Sequence, residues 1–202
     1  MLFLRFFYES RDFKLVSLTC IMDEQMKYCA FLRGVNLNGR AMKMADVCSV
    51  FSTAGMSTVS SVQASGNITF MSDKDKIKLK AVLESALADH YGMEVHLFIK
   101  SVDEVESIFN SAPFDTDPQM HTYAFVCEAG FEKELFGEFN KITPSEREEA
   151  SLNNNIFYWR VAKGSTLDAG FSKILGRKSM KESFTSRNIS TIEKTLEKMK
   201  KN

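Results

Sequence analysis

Residues 58–71, Thr-Val-Ser-Ser-Val-Gln-Ala-Ser-Gly-Asn-Ile-Thr-Phe-Met, contain two strand-like runs, 58–64 and 68–71, on either side of Ser65-Gly66-Asn67. Gly accepts a positive φ without steric cost and Asn often tolerates one, so the triplet predicts a hairpin turn. Upstream, Tyr28 to Val35 is a near-continuous apolar run of strand length, as expected of a central strand. A helix follows it, since Met44, Val47, Cys48 and Phe51 recur at helical spacing before Gly55. Downstream, 73–91 predicts a second helix with Leu79, Val82, Leu83, Ala86, Leu87 and His90 on one stripe, ended by Gly92. Glu94 to Lys100 alternates around Val95, Leu97 and Ile99 and closes the unit as a strand. Strand, helix, hairpin, helix, strand is the βαββαβ order of a ferredoxin-like plait.

The order then restarts. Ser101-x-x-Glu104 is a capping box for a short helix with Val102, Val105, Ile108 and Phe109 inward. Beyond the turn-rich 113–118, strands are expected at 122–127, 150–152 and 156–161, and helices at 131–140 and 190–200. In the last helix Ile189, Ile192, Leu196 and Met199 form the apolar stripe, with Ser190-x-x-Glu193 as its cap. The fold class expected is α+β: two ferredoxin-like (alpha-beta plait) units, mainly antiparallel sheets with helices on one face. The domain division expected is 1–26, a poorly packed extension; 27–112, the first unit with its connecting helix; and 113–202, the second.

Residues 1–25 begin apolar, but Glu9, Arg11, Asp12 and Lys14 cut the run below the length of a membrane span. They also lack the basic start and cleavage signal of a secretory leader. The native start is expected at Met22 or Met26.

At 202 residues, 44% hydrophobic, the chain can bury a real core, and 26 basic against 26 acidic side chains set up no global field for nucleic acid or membrane. Charge is distributed unevenly. Residues 128–149 hold seven acids and three bases, net −4, and 163–202 hold ten bases and four acids, net +6. The four cysteines form no Cys-x-x-Cys pair and the three histidines no His-Glu-x-x-His, which argues against zinc and disulfides. Cys29 and Cys48 read as buried, reduced thiols of a cytoplasmic protein.

The candidate site starts at Leu32-Arg33-Gly34-Val35-Asn36-Leu37-Asn38-Gly39, a strand breaking into glycines and asparagines before a helix, where backbone N–H groups can be aimed at an anion. No Gly-Lys-Ser/Thr follows, and no Gly-x-Gly-x-x-Gly is present, so the known nucleotide fingerprints are absent. Ser65 lacks the Gly-x-Ser-x-Gly elbow. Asp46 and Glu94 are available for acid–base work, yet no residue is marked as catalytic and no cofactor is implied.

Five segments in register, LRGVNLNG, MADV, VSSVQASGNITF, NSAPF and TSRNISTIEKTLEKM, resemble the bacterial family called domain of unknown function 1697. The resemblance covers 27–199 and implies a two-part α+β plait, without an activity. Its typical polar positions fall on Arg33, Gly34, Asn36 and Gly39, on Gln63, Ser65, Gly66 and Asn67, and on Arg187, Asn188 and Thr191. Where the family pattern usually carries an aromatic residue and a second Asn, Ile189 and Ser190 stand here.

With Asn38 these residues make one candidate ligand set, suited to a small phosphate- or carboxylate-bearing molecule through Arg forks and Asn amides. Each also has a plainer role as ion-pair, turn or helix-cap residue. Two alternatives stand beside it. One is RNA bound through Phe157, Tyr158, Trp159 and Arg160, although no RNP pattern is present. The other is a non-catalytic homodimer joined at sheet edges.

Overall fold

The computed structural model describes residues 25–37, 40–177, 180 and 182–201. Of the extension expected at 1–26, residues 1–24 lie outside the described residues, as do the candidates Asn38 and Gly39, and Met26 already belongs to the first strand. The first unit runs β1 (Met26–Leu32), a two-strand ribbon of β2 (Asn36–Leu37) and β3 (Arg40–Ala41), α1 (Met44–Thr53), β4 (Ser57–Val62), β5 (Asn67–Ser72), α2 (Lys76–Tyr91), β6 (Leu97–Ser101) and α3 (Val102–Asn110). The second runs β7 (Met120–Cys127), α4 (Phe131–Phe139), β8 (Glu148–Asn153), β9 (Ile156–Ala162), α5 (Gly170–Leu175), β10 (Phe184–Asn188) and α6 (Ile189–Lys201).

Both sheets are antiparallel, in the orders β4-β5-β1-β6 and β10-β7-β9-β8. Numbered within each unit, both orders are second, third, first, fourth, the plait arrangement. The ribbon aside, each unit is therefore βαββαβ followed by one more helix. The second unit differs from its expected form in α5 and β10, which sequence patterning did not predict. β10 is Phe-Thr-Ser-Arg-Asn, and its buried positions include Thr185 and Arg187, so no apolar alternation announces it.

Side-chain alternation sends Tyr28, Ala30 and Leu32 to one face of β1 and Cys29 and Phe31 to the other. The first face packs with Ile68, Phe70, Leu97 and Ile99 against α1 and α2. On α2 the buried stripe is Leu79, Leu83 and Leu87, narrower than expected, because Val82 and His90 are exposed. In the second sheet, Phe125, Phe157, Trp159 and Phe184 pack against α4 and α5.

The remaining faces of the two sheets look toward each other across α3 and α6. Cys29, Phe31 and Phe98 from one sheet and Ala124, Val126 and Tyr158 from the other enclose Val105, Ile108, Ile192, Leu196 and Met199. The layering is thus α1/α2, sheet, α3/α6, sheet, α4/α5, with helices on the inner faces as well. Contacts cross in both directions: α6 of the second unit lies on β1, β5 and β4 of the first, while the Tyr158 hydroxyl of β9 donates to Ile108 O of α3 at 2.8 Å.

Helix ends follow local rules. Asp75 caps α2 by accepting from Lys78 N at 2.9 Å, and Gly92 closes it in the left-handed conformation. The capping box of α3 forms in both directions, Ser101 N donating to Glu104 Oε2 at 2.8 Å and Glu104 N to Ser101 Oγ at 3.4 Å. For α6 the cap is Asn188 rather than the expected Ser190: Asn188 Oδ1 accepts from Ser190 N at 3.0 Å and Ser190 Oγ at 2.8 Å. Asn188→Ala is expected to cost about 1 kcal/mol in urea unfolding, the usual value of a lost Asn cap.

Candidate functional site

The Ser65-Gly66-Asn67 turn, the end of β1 and β10 meet where the units join. Asn67 is fully buried, and its amide donates to Val62 O at 3.2 Å and Ser65 Oγ at 2.9 Å, which turns its Oδ1 toward β10. Arg187 reaches that oxygen. Nε donates to Asn67 Oδ1 at 2.5 Å, Nη1 to Thr185 Oγ1 at 2.7 Å and Ser186 O at 2.8 Å, and Nη2 to Leu32 O at 2.7 Å and Gly66 O at 3.3 Å. All five N–H bonds of the fork are used inside the protein.

Arg187 is 9% exposed and has no carboxylate partner among the described residues. Its compensation is five oxygen dipoles and the face of Phe31, 5.8 Å from the guanidinium carbon. Burial, with a smaller push from Arg33, brings its pKa down to about 10, so it stays charged at neutral pH.

Two further members of the set also bond across the joint or within it. Thr191 Oγ1 donates to Gln63 Oε1 at 3.1 Å, and Gln63 adopts φ 58° at the hairpin turn. Asn188 turns away to the α6 cap. Because its oxygen faces Ser190, its amide nitrogen faces His121 Nδ1 at 3.1 Å, which makes that ring nitrogen an acceptor and places the imidazole proton on Nε2.

Arg33 and Gly34 lie apart from this knot, on a groove. Cα pairing puts Phe184 opposite Cys127, and Glu128 N donates to Ser183 O, so the alternation of antiparallel bonding turns Phe184 and Ser186 away from β7. The exposed carbonyls on that edge are both covered by guanidinium groups: Arg33 Nη1 donates to Phe184 O, and Arg187 to Ser186 O. Two arginines of different units and strands thereby seal an edge that would otherwise invite a foreign strand. The Ser186 N–H faces the same side.

The Arg33 guanidinium carbon sits 4.7 Å from the centre of the Phe184 ring, and half-burial lowers its pKa, with Glu182 opposing the shift. The groove beside it has a volume of about 600 Å³ and is lined by Arg33, Gly34, Glu94, His96, Phe184 and Ser186, among others. Among the described residues, no ion pair includes Arg33. Sequence patterning missed the other wall of this groove: β10 was not expected as a strand, and His96 and Glu182 belong to no motif.

The candidate residues therefore fall into three places: the joint (Gln63, Ser65, Gly66, Asn67, Arg187, Thr191), the α6 cap (Asn188) and the groove (Arg33, Gly34). Asn36 contributes backbone to β2. On the strand considered for RNA, Phe157, Tyr158 and Trp159 are all buried, and Arg160 is occupied by Glu149 at 2.5 Å and by the Phe114 ring. That strand offers no ring to a base.

Cys29, Cys48 and Cys127 are free thiols. Burial, with Glu132 beside it, pushes Cys127 up to about 12, so at neutral pH it is a poor nucleophile. No group of three His, Cys, Asp or Glu suited to a metal is found among the described residues, nor a helix long and apolar enough to cross a membrane.

Comparison with known proteins adds two findings. The family model described as Protein of unknown function (DUF1697) matches residues 26–158. In three dimensions the chain is similar to the conserved bacterial protein SP0830 from Streptococcus pneumoniae, with a TM-score of 0.73 and 22% identity, over 87% of this chain and 99% of that one. At that identity the likeness shows the fold alone. No curated protein matches the chain.

Proposed function

Because the chain belongs to the DUF1697 family, whose description assigns no activity, we propose from the geometry that it binds a small carboxylate- or phosphate-bearing molecule in the groove between its two units. The observation that carries this reading is the contrast between two arginines. Arg187 has spent every donor on the protein, whereas Arg33 makes one side-chain hydrogen bond among the described residues, to Phe184 O, and borders open space.

A guanidinium stacked on an aromatic ring is held in place before a ligand arrives, which reduces the ordering cost of binding. The Ser186 N–H on the β10 edge supplies a second donor, and Gly34, at φ 73°, leaves the approach free of a side chain. The remaining candidate residues support the reading indirectly: the joint they build fixes β10 against the end of β1, and so sets the distance between the groove's walls.

A thermal-shift panel of inorganic phosphate, sugar phosphates and simple carboxylates tests the proposal. A ligand at about 100 times its Kd stabilises by roughly 2.7 kcal/mol, which for a chain of this size is on the order of 5–10 °C in Tm. The shift is expected to vanish in Arg33→Ala. Absence of a shift with every compound, or one that survives Arg33→Ala, would overturn it.

A further inference from the structure

Arg33 is not alone in the groove, and its neighbours are of the opposite sign. Glu94 and Glu182 are exposed side chains on the same lining, and Glu182 is close enough to influence the Arg33 charge. Among the described residues none of the three forms an ion pair: Arg33 bonds a carbonyl, and neither carboxylate comes within 4.0 Å of a cationic group. Opposite charges that share a cleft without joining leave a gap that a molecule charged at both ends would span.

Beyond His96 and Glu182 the groove continues into a second hollow of about 500 Å³ that adds Lys80, Glu128 and Glu134. Lys80 is already held by Glu128 at 2.6 Å. Over both hollows the described lining thus carries Arg33 and Lys80 against Glu94, Glu128, Glu134 and Glu182, two positive charges and four negative. A polyanion such as a nucleoside triphosphate would be repelled by this field once its first charge had met Arg33. A single carboxylate accompanied by an ammonium group would not.

We infer that the ligand of this groove is a small zwitterion of the amino-acid type, its carboxylate received by the Arg33 fork and the Ser186 N–H and its ammonium by Glu94 and Glu182. The inference rests on the proposed anion-binding function and narrows it. It also assigns a role to two glutamates that no motif marked.

Matched probes decide it, used with the full chain in calorimetric titration. Straight-chain ω-amino acids from glycine to 6-aminohexanoate are each compared with the carboxylate of equal length lacking the amine, and with inorganic phosphate. At one chain length the amino acid is expected to bind at least about tenfold tighter than its carboxylate, because an ion pair in a partly enclosed site contributes on that scale.

Glu182→Gln and Glu94→Gln are expected to erase that advantage while leaving the carboxylate affinity in place, and Arg33→Ala to remove both. The two glutamates are exposed and Arg33 is half-buried, and matching far-ultraviolet spectra and melting curves are required of each variant to show that it is folded. If phosphate or plain carboxylates bind as tightly as every amino acid, the zwitterion assignment is overturned and the anion site stands. If no probe binds, the anion site falls as well.

Discussion

Replacing Arg187 by alanine is expected to lower the unfolding free energy by about 3–5 kcal/mol, read as a fall in the urea midpoint, a large share of a typical domain's stability. The cost comes from what is left behind. Asn67 Oδ1, Leu32 O, Gly66 O and Thr185 Oγ1 would lose a donor at once in a buried place, while Ser186 O, part-buried beside the groove, can turn to water. Arg187→Lys keeps the charge, but one ammonium has three donors at a single point and cannot serve a planar array of five acceptors, so it should restore less than half of the loss.

A double-mutant cycle separates the network from simple packing. Asn67→Ala in the Arg187→Ala background should cost much less than in the wild type, since both remove the same bond. Full additivity would mean that the two side chains act independently and would contradict a shared joint. Because Arg187 binds carbonyls of the first unit from a strand of the second, the loss should appear in the local opening of the joint, read by hydrogen exchange, as well as in global unfolding.

Gly66→Ala is expected to cost about 2–4 kcal/mol. Gly66 has φ 71°, and a Cβ there would stand 2.5 Å from Val35 Cγ1 and 3.1 Å from Leu32 Cβ. Left-handed backbone strain accounts for roughly 1 kcal/mol and overpacking for about 1–3. Relief by shifting the turn is limited, because Gly66 O accepts from both Leu32 N, at 2.7 Å, and Arg187.

Gly55→Ala is the internal control. Gly55 also has a positive φ, 91°, but nothing lies within 4 Å of its Cβ position, so only the conformational part, about 1 kcal/mol, should appear. Equal losses at the two glycines, measured by urea midpoints at unchanged m-value, would show that crowding at Gly66 contributes nothing.

The plait order of the first unit could be read from the residues because its strands and helices have the periods of elements half-buried against a single core. Met44, Val47 and Phe51 repeat as a helix must, and Val95, Leu97 and Ile99 as a strand must. The second unit was harder to read. Phe171 and Ile174 of α5 are too few to establish a helical period in six residues, and β10 is polar where its neighbours are apolar, because Arg187 on it serves the Asn67 amide and two backbone carbonyls of the first unit.

The candidate site shows the same division. Local chemistry singles out glycines, asparagines and an arginine at a strand end; Gly34 and Gly66 do adopt a positive φ, whereas Asn36 and Asn67 lie in strands. Residue type does not tell a donor that faces a ligand from one that faces a carbonyl 120 residues away. Arg33 and Arg187 are chemically identical; one borders a groove and the other is enclosed, and that difference arises only when the two sheets close on α3 and α6.

By itself, then, the sequence determined the local periods, the turns and caps, the family and the α+β plait, because these depend on interactions among residues near one another in the chain. Tertiary structure alone decided that β10 is a strand, that the polar motifs divide between a sealed joint and an open groove, and that Glu94 and Glu182 share that groove with Arg33. The physical reason is that burial and net charge at a surface are sums over distant segments, and no single segment carries them.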